Sequence, residues 1–144
     1  VGTETNINKY LSRKLRTLRP KTYHIKIADK YTIGISDFLI WHLGCTIALE
    51  MKYIDDYPSE HSKLLTHIFT GSQLTFLEDM ELAQNISVGG VCVNSEKRVY
   101  IMSLEDIPPE GNWITREFRS KNFWHWDLQE PKELLEHIVQ EYSV

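Results

Sequence analysis

Cysteine is scarce in this chain, and long apolar runs are missing. Its 144 residues hold two cysteines, Cys45 and Cys92. Both fall in apolar, strand-like stretches and read as buried thiols rather than a disulfide, which fits a reducing compartment. No apolar run approaches the roughly 20 residues of a membrane span, so no membrane contact is expected. The opening stretch VGTETNINKY is polar and contains an acid, unlike a signal peptide. Repeats and low-complexity tracts are absent. No Ser-His-Asp or Cys-His arrangement stands out for nucleophilic catalysis. His61 and His67 fit no zinc-ligand spacing. What remains is material for one packed domain, 42% hydrophobic and 11% aromatic.

The net charge is −4, which argues mildly against nucleic acid, but its distribution argues the other way. Residues 1–30 hold eight basic residues (Lys9, Arg13, Lys14, Arg16, Arg19, Lys21, Lys26, Lys30) against Glu4 and Asp29, so 8 − 2 = +6. The rest of the chain is then −4 − 6 = −10. Such asymmetry suits either a polyanion-facing end or a solvated helix face.

Apolar spacing at Ile7, Tyr10, Leu11, Leu15 and Leu18 predicts a helix over 3–18, stopped by Pro20. Strands are expected at 22–28, 36–41 and 45–53, the last two joined through a short Gly-containing turn at 42–44. The polar stretch 54–70 reads as a long loop or a short helix. A helix over 71–85, with Ser72 as N-cap and Leu74, Phe76, Leu77, Met80 and Ala83 inward, precedes strands at 86–94 and 98–104. The order is helix, three strands, helix, two strands: an α/β architecture with a central mixed sheet flanked by helices. After Ser103 the pattern changes to a turn-rich linker, an aromatic irregular stretch, and a final helix with Pro131 in its first turn. Trp113, Phe118, Phe123, Trp124 and Trp126 read as a core for this tail rather than as base-stacking platforms.

The stretch GISDFLIWHLGCTIALEMKY, residues 34–53, carries chemistry. Alternation puts Cys45, Ile47, Leu49 and Met51 on one face and Thr46, Ala48, Glu50 and Lys52 on the other. Hairpin pairing brings the start of the first strand beside the end of the second, so Asp37, Glu50 and Lys52 converge. Two carboxylates suit a hard divalent cation such as Mg2+ or Mn2+. The same carboxylates favour the charged ammonium, so Lys52 suits an electrostatic or orienting role over proton abstraction. The triplet E-x-K alone is weak: Glu130-Pro131-Lys132 repeats it at the start of a helix. Its placement at the end of an alternating strand, after an acid on the preceding one, is what counts.

With those residues in place, S-D-F-L-I-W, a Gly turn and T-I-A-L-E-M-K resemble the PD-(D/E)XK nuclease superfamily, nearest to its VRR-NUC and Holliday-junction-resolvase-like nucleases. The helix GSQLTFLEDMELAQ, the strand GGVCVN and an opening helix bearing Glu4 extend the likeness over roughly residues 4–102. It implies a restriction-endonuclease-like core and metal-dependent hydrolysis of DNA phosphodiesters that leaves a 5′-phosphate. Asp37 and Glu50 match the metal-binding acids, the Met51 carbonyl a further ligand, Lys52 the catalytic lysine and Gln73 the glutamine beside the site. Glu4 matches an acid of the first helix that completes the metal site. Arg13, Lys14, Lys26 and Lys30 are candidates for DNA-phosphate contact. Ser36 stands where the family usually has Pro, residues 54–70 are longer than in a compact member, and residues 103–144 match nothing in the pattern.

The expected organisation is a nuclease core over 1–103 and a C-terminal extension over 104–144 packed on the same domain. The expected partner is DNA, branched or flapped, and the expected cofactor Mg2+ or Mn2+. Symmetric cutting needs two sites, so a homodimer is expected. The small format suits the cytoplasm of a bacterial or phage-infected cell. Two other readings are a DNA-binding module with a weak or dead site, and a self-assembling structural protein.

Overall fold

A computed structural model describes residues 4–18, 23–26 and 37–143, without the side chains of residues 4, 5, 25 and 26. The elements are α1 (Glu4–Leu15), β1 (Tyr23–Lys26), β2 (Phe38–His42), β3 (Cys45–Ile54), α2 (Gly71–Leu82), β4 (Ile86–Val93), β5 (Arg98–Ser103), α3 (Thr115–Lys121), β6 (His125–Trp126) and α4 (Pro131–Tyr142). Among the described residues six strands form one sheet in chain order, and only the β3–β4 pair is parallel, with α2 as its crossover. Among the described residues no helix is long and apolar enough to cross a membrane.

The alternation read from the sequence sets which face goes where. Ile47, Leu49 and Met51 of β3, with Phe38 and Ile40 of β2, pack against Ile7, Leu11 and Leu15 of α1 and Leu134, Leu135 and Ile138 of α4. The opposite face is also buried. There Ile54, Val91, Val93 and Met102 pack against Leu64, Leu65, Phe69, Ile107, Trp113 and Phe118. The cover on this side is α2, α3 and the irregular segment 55–70, which contains no helix. β4 is buried along its whole length, as expected for a central strand in a two-sided sheet.

Several elements differ from expectation. Helix α1 ends at Leu15 rather than 18, and Arg16 and Thr17 form a turn. The N-cap of α2 is Thr70, not Ser72: the Thr70 hydroxyl accepts from the Gln73 N–H, and Gln73 Oε1 accepts from the Thr70 N–H. This is a capping box, worth more to a helix start than a single hydroxyl inside the first turn. The same helix ends at Leu82. Of its five expected inward residues only Leu77 is fully buried, and Ala83 is exposed. The tail holds two unanticipated elements. α3 carries Phe118 into the second core, and β6 adds a sixth strand, with Val99 opposite Trp126. Cys45 is half-buried and Cys92 buried, and both are free thiols.

The β2–β3 hairpin fixes the register of the site. His42 pairs with Cys45, so the loop is the two residues Leu43 and Gly44, at φ +49° and +78°. Two positive φ values define the I′ loop that matches strand twist, for which Asn-Gly is preferred. A leucine held left-handed costs roughly 1–2 kcal/mol, and here its side chain is 72% exposed, with little burial in return. Leu43→Asn is therefore expected to stabilise the protein by about 1 kcal/mol. A urea melt with an unchanged or lower midpoint would count against this reading of the loop.

Candidate active site

Phe38 sits opposite Leu49, so Asp37, one residue earlier, lies beside Glu50 and shares its face. The Met51 N–H donates to Asp37 Oδ2 at 2.9 Å. In an antiparallel ladder one residue directs its N–H and C=O to the same neighbour, so the Met51 carbonyl is aimed at the same edge as Asp37. Glu50 and Lys52 follow on the same face of β3, with side chains 1% and 5% exposed and an Nζ–Oε2 distance of 3.5 Å. Lys52 Nζ also donates to Gln73 Oε1 at 3.1 Å and lies 5.4 Å from the centroid of the Phe69 ring. The ammonium is thus held by a carboxylate, an amide oxygen and an aromatic face at once.

The register explains the space. Glu50 faces Gly89 on β4. A Cβ at Gly89 would come within 2.9 Å of Ile107 and 3.1 Å of Phe69. Its absence lets the Phe69 ring settle onto the sheet and roof the lysine. Gln73 joins two structures: its side-chain oxygen completes the α2 capping box and receives Lys52. Helix start and site are therefore one hydrogen-bonded unit.

Among the described side chains two carboxylates stand against one ammonium, one formal negative charge, with Glu50 and Lys52 buried and Asp37 half-buried. Like charges placed opposite one another on neighbouring strands are destabilising unless a cation lies between them. The donors that the strand register places at this edge are all hard oxygens: the Asp37 and Glu50 carboxylates and the Met51 carbonyl. That set fits Mg2+ or Mn2+, which are commonly bound through one or two carboxylates with the remaining positions open. It does not fit zinc, and among the described residues no group of three or more His, Cys, Asp or Glu clusters as a ligand set.

The remaining expected residues are distributed as follows. Glu4 opens α1, and its side chain lies outside the described residues. Lys26 is the last residue of β1 and pairs with Phe38, at the same end of the sheet as Asp37; its side chain and the whole of Lys30 lie outside the described residues. Arg13 and Lys14 occupy the last turn of α1 and lie over the Tyr10 ring. Since α1 packs on the Met51 face, they flank the side of the sheet opposite Glu50 and Lys52. Sequence reasoning did not find Phe69, Thr70 or Gly89. The T-x-x-Q spacing at Thr70 and Gln73 is a readable capping signal; Phe69 and Gly89 have no local signature.

No family model matches the chain, and no curated protein matches it. Among solved structures it is similar to Hjc, a Holliday junction resolvase from the archaeon Archaeoglobus fulgidus, with a TM-score of 0.50 and 11% identity over 76% of this chain and 81% of that one. The chain has a restriction-endonuclease-like fold. At 11% identity the likeness is one of fold. In this chain the β2–β3 hairpin carries Glu50 and Lys52, with Asp37 one residue before it.

Proposed function

We propose that this chain is a divalent-metal-dependent DNA endonuclease of the PD-(D/E)XK superfamily, acting on branched or flapped DNA. The observation that carries the reading is the buried pair Glu50 and Lys52 with the half-buried Asp37 beside it, tied to Met51 and Gln73 by hydrogen bonds. Asp37, Glu50 and the Met51 carbonyl, with Glu4 from the first helix, would hold Mg2+ or Mn2+. When bound, such an ion supplies charge stabilisation at a phosphoryl oxygen and activation of water. Lys52, fixed from three sides, orients the attacking water or stabilises the negative charge that builds on the phosphate. Phe69 and the packed wall behind it keep bulk water from that ammonium, which strengthens its field. The resolvase activity named for Hjc supports junction or flap DNA as the substrate class. Two such sites in a homodimer would cut opposed strands. Lys26 and Lys30 are proposed as phosphate contacts, with Arg13 and Lys14 extending the charge across the other side. Residues 104–144 are proposed as an extension packed on the same domain as the 1–103 core, and the cell cytoplasm as the setting.

One observation favours a second reading, a nuclease-fold module that binds DNA without cutting it. Glu50 and Lys52 already neutralise one another, an arrangement that can persist with no ion. Nicking of flap, four-way-junction and plasmid DNA in Mg2+, Mn2+ and chelator separates the two. The nuclease reading expects metal-dependent product, lowered about 100-fold or more by Asp37→Asn or Glu50→Gln, since electrostatic groups of this kind carry about 2.7–4 kcal/mol. Product formed in chelator, or undiminished in both variants, would sink the assignment of the site. Salt-sensitive binding with no product in either metal would establish the module instead.

A further inference from the structure

A cavity of about 170 Å³ opens between the loop after β3, the end of β5 and α3, lined by Tyr57, Glu96, Tyr100, Arg119, Asn122 and Phe123. It belongs to the same side of the sheet as the site above. Lys52 faces Val91, and Val91 faces Tyr100, so Tyr100 lies two strands away on the same face, about 10 Å at ordinary strand spacing. The packed wall of Phe69, Trp113 and Phe118 lies on this face too.

We infer that this cavity receives one unpaired base of the DNA substrate, and that it selects a single-ring base bearing an exocyclic amino group, cytosine. The size fits one ring: an engineered cavity of about 150 Å³ takes benzene. Its walls are planar groups of the kind that unstacked bases lie against, aromatic rings and a guanidinium. Arg119 lies 4.5 Å from the Tyr57 ring centroid, and Tyr100 meets Phe118 edge-on at 5.5 Å.

The polar pattern decides which base. Tyr57 and Tyr100 both donate their hydroxyl protons to Glu96 Oε1, at 2.7 and 2.8 Å. Burial, then the hydrogen bonds with Tyr100 and Glu96, holds the Tyr57 hydroxyl well above its ordinary pKa, so it stays a donor. Two donors on one oxygen lock the carboxylate in place. Its other oxygen is 3.8 Å from Arg98 and keeps acceptor capacity, because an ionised carboxylate can take about four hydrogen bonds. A carboxylate accepts from the cytosine amino group and is repelled by the thymine O4. Arg98 pairs with Glu96 and Asp127, and the Arg119 charge acts on Asp56. With no excess of positive charge there, this place reads a base and leaves the phosphates to other residues.

This inference rests on the DNA-directed reading above and deepens it. Its test is binding of oligo-dC and oligo-dT of equal length in chelator, by fluorescence anisotropy, beside metal-dependent flap cleavage by the same preparations. Oligo-dC is expected to bind about ten-fold tighter than oligo-dT, the discrimination of one charged hydrogen bond. Glu96→Gln, which turns an amide N–H toward the base, is expected to level or invert that preference. It should leave the salt slope of binding unchanged, because no phosphate contact is lost. Tyr57→Phe, which keeps the ring but removes one of the two hydroxyls that lock Glu96, is expected to lower that preference, and it decides the matter if Glu96→Gln does not fold. Equal binding of the two oligomers by wild type, or a preference that survives both substitutions, overturns the base subsite. Flap cleavage without base preference removes the subsite and leaves the nuclease reading standing. Base preference without cleavage keeps the subsite and removes the nuclease.

Discussion

Lys52→Met is expected to lower the unfolding free energy by about 3–5 kcal/mol and to remove metal-dependent cleavage. Adding Glu50→Gln is expected to restore most of the stability and none of the activity. The reason is burial. Glu50 and Lys52 are 1% and 4% exposed, so each was taken from water at a cost that their 3.5 Å contact offsets only in part. Removing the ammonium takes from the buried Glu50 carboxylate the cation that lies 3.5 Å from it. Neutralising Glu50 as well removes the buried charge, the larger part of that penalty, and leaves only the smaller cost of a buried amide. The Gln73 oxygen loses Lys52 but keeps the Thr70 N–H, so the α2 cap survives both changes. A double-mutant cycle by urea denaturation gives the coupling, and nicking per folded molecule gives the activity. If Lys52→Met is as stable as wild type, the pair is not buried in solution. If the double variant still cuts DNA, the site lies elsewhere.

The hairpin that builds this site is legible in the sequence because its signals are local. Alternation over 45–53, a Gly-containing turn and an acid near the start of the first strand suffice to place Asp37, Glu50 and Lys52 on one face, whereas Gln73 comes from the family resemblance and has no local signal for the site. What alternation cannot supply is the cover. The face bearing Glu50 and Lys52 reads as half-polar and could have faced water. It is buried by segment 55–70, which has no period of its own, and by Trp113 and Phe118, some sixty residues further along the chain. The elements α3 and β6 span seven and two residues, too short for a periodic pattern to show. The position of Thr70 was readable but Ser72 competed with it, and only the reciprocal bond from Gln73 separates the two.

Gly111→Ala is expected to destabilise the protein by about 3 kcal/mol or more, through backbone strain and overlap together, and to lower cleavage per folded molecule. Gly111 sits at φ +78°, and a Cβ there would lie 1.9 Å from the Phe69 carbonyl oxygen, a main-chain atom that no rotamer change can move aside. The close approach serves a hydrogen bond, from the Phe69 N–H to the Gly111 carbonyl at 3.0 Å. It is one of a row. Asn112 accepts from the Leu65 N–H and donates to the Leu65 carbonyl, both at 2.9 Å, and the Leu64 N–H donates to the Trp113 carbonyl at 2.8 Å. Residues 111–113 thereby carry the segment whose last member is the ring over Lys52, and the next residue, Thr70, caps the helix that presents Gln73. Pushing Gly111 and Phe69 apart moves the roof and one of the three groups holding the ammonium. Gly71→Ala is the control two residues from that ring: nothing lies within 4 Å of a Cβ there, and Ala is the better helix former by about 1 kcal/mol, so stability should hold or rise with cleavage intact. Calorimetry of both variants beside single-turnover nicking separates the cases. Loss of stability in Gly111→Ala with full activity per folded molecule would show that the tail supports the fold but does not position Lys52.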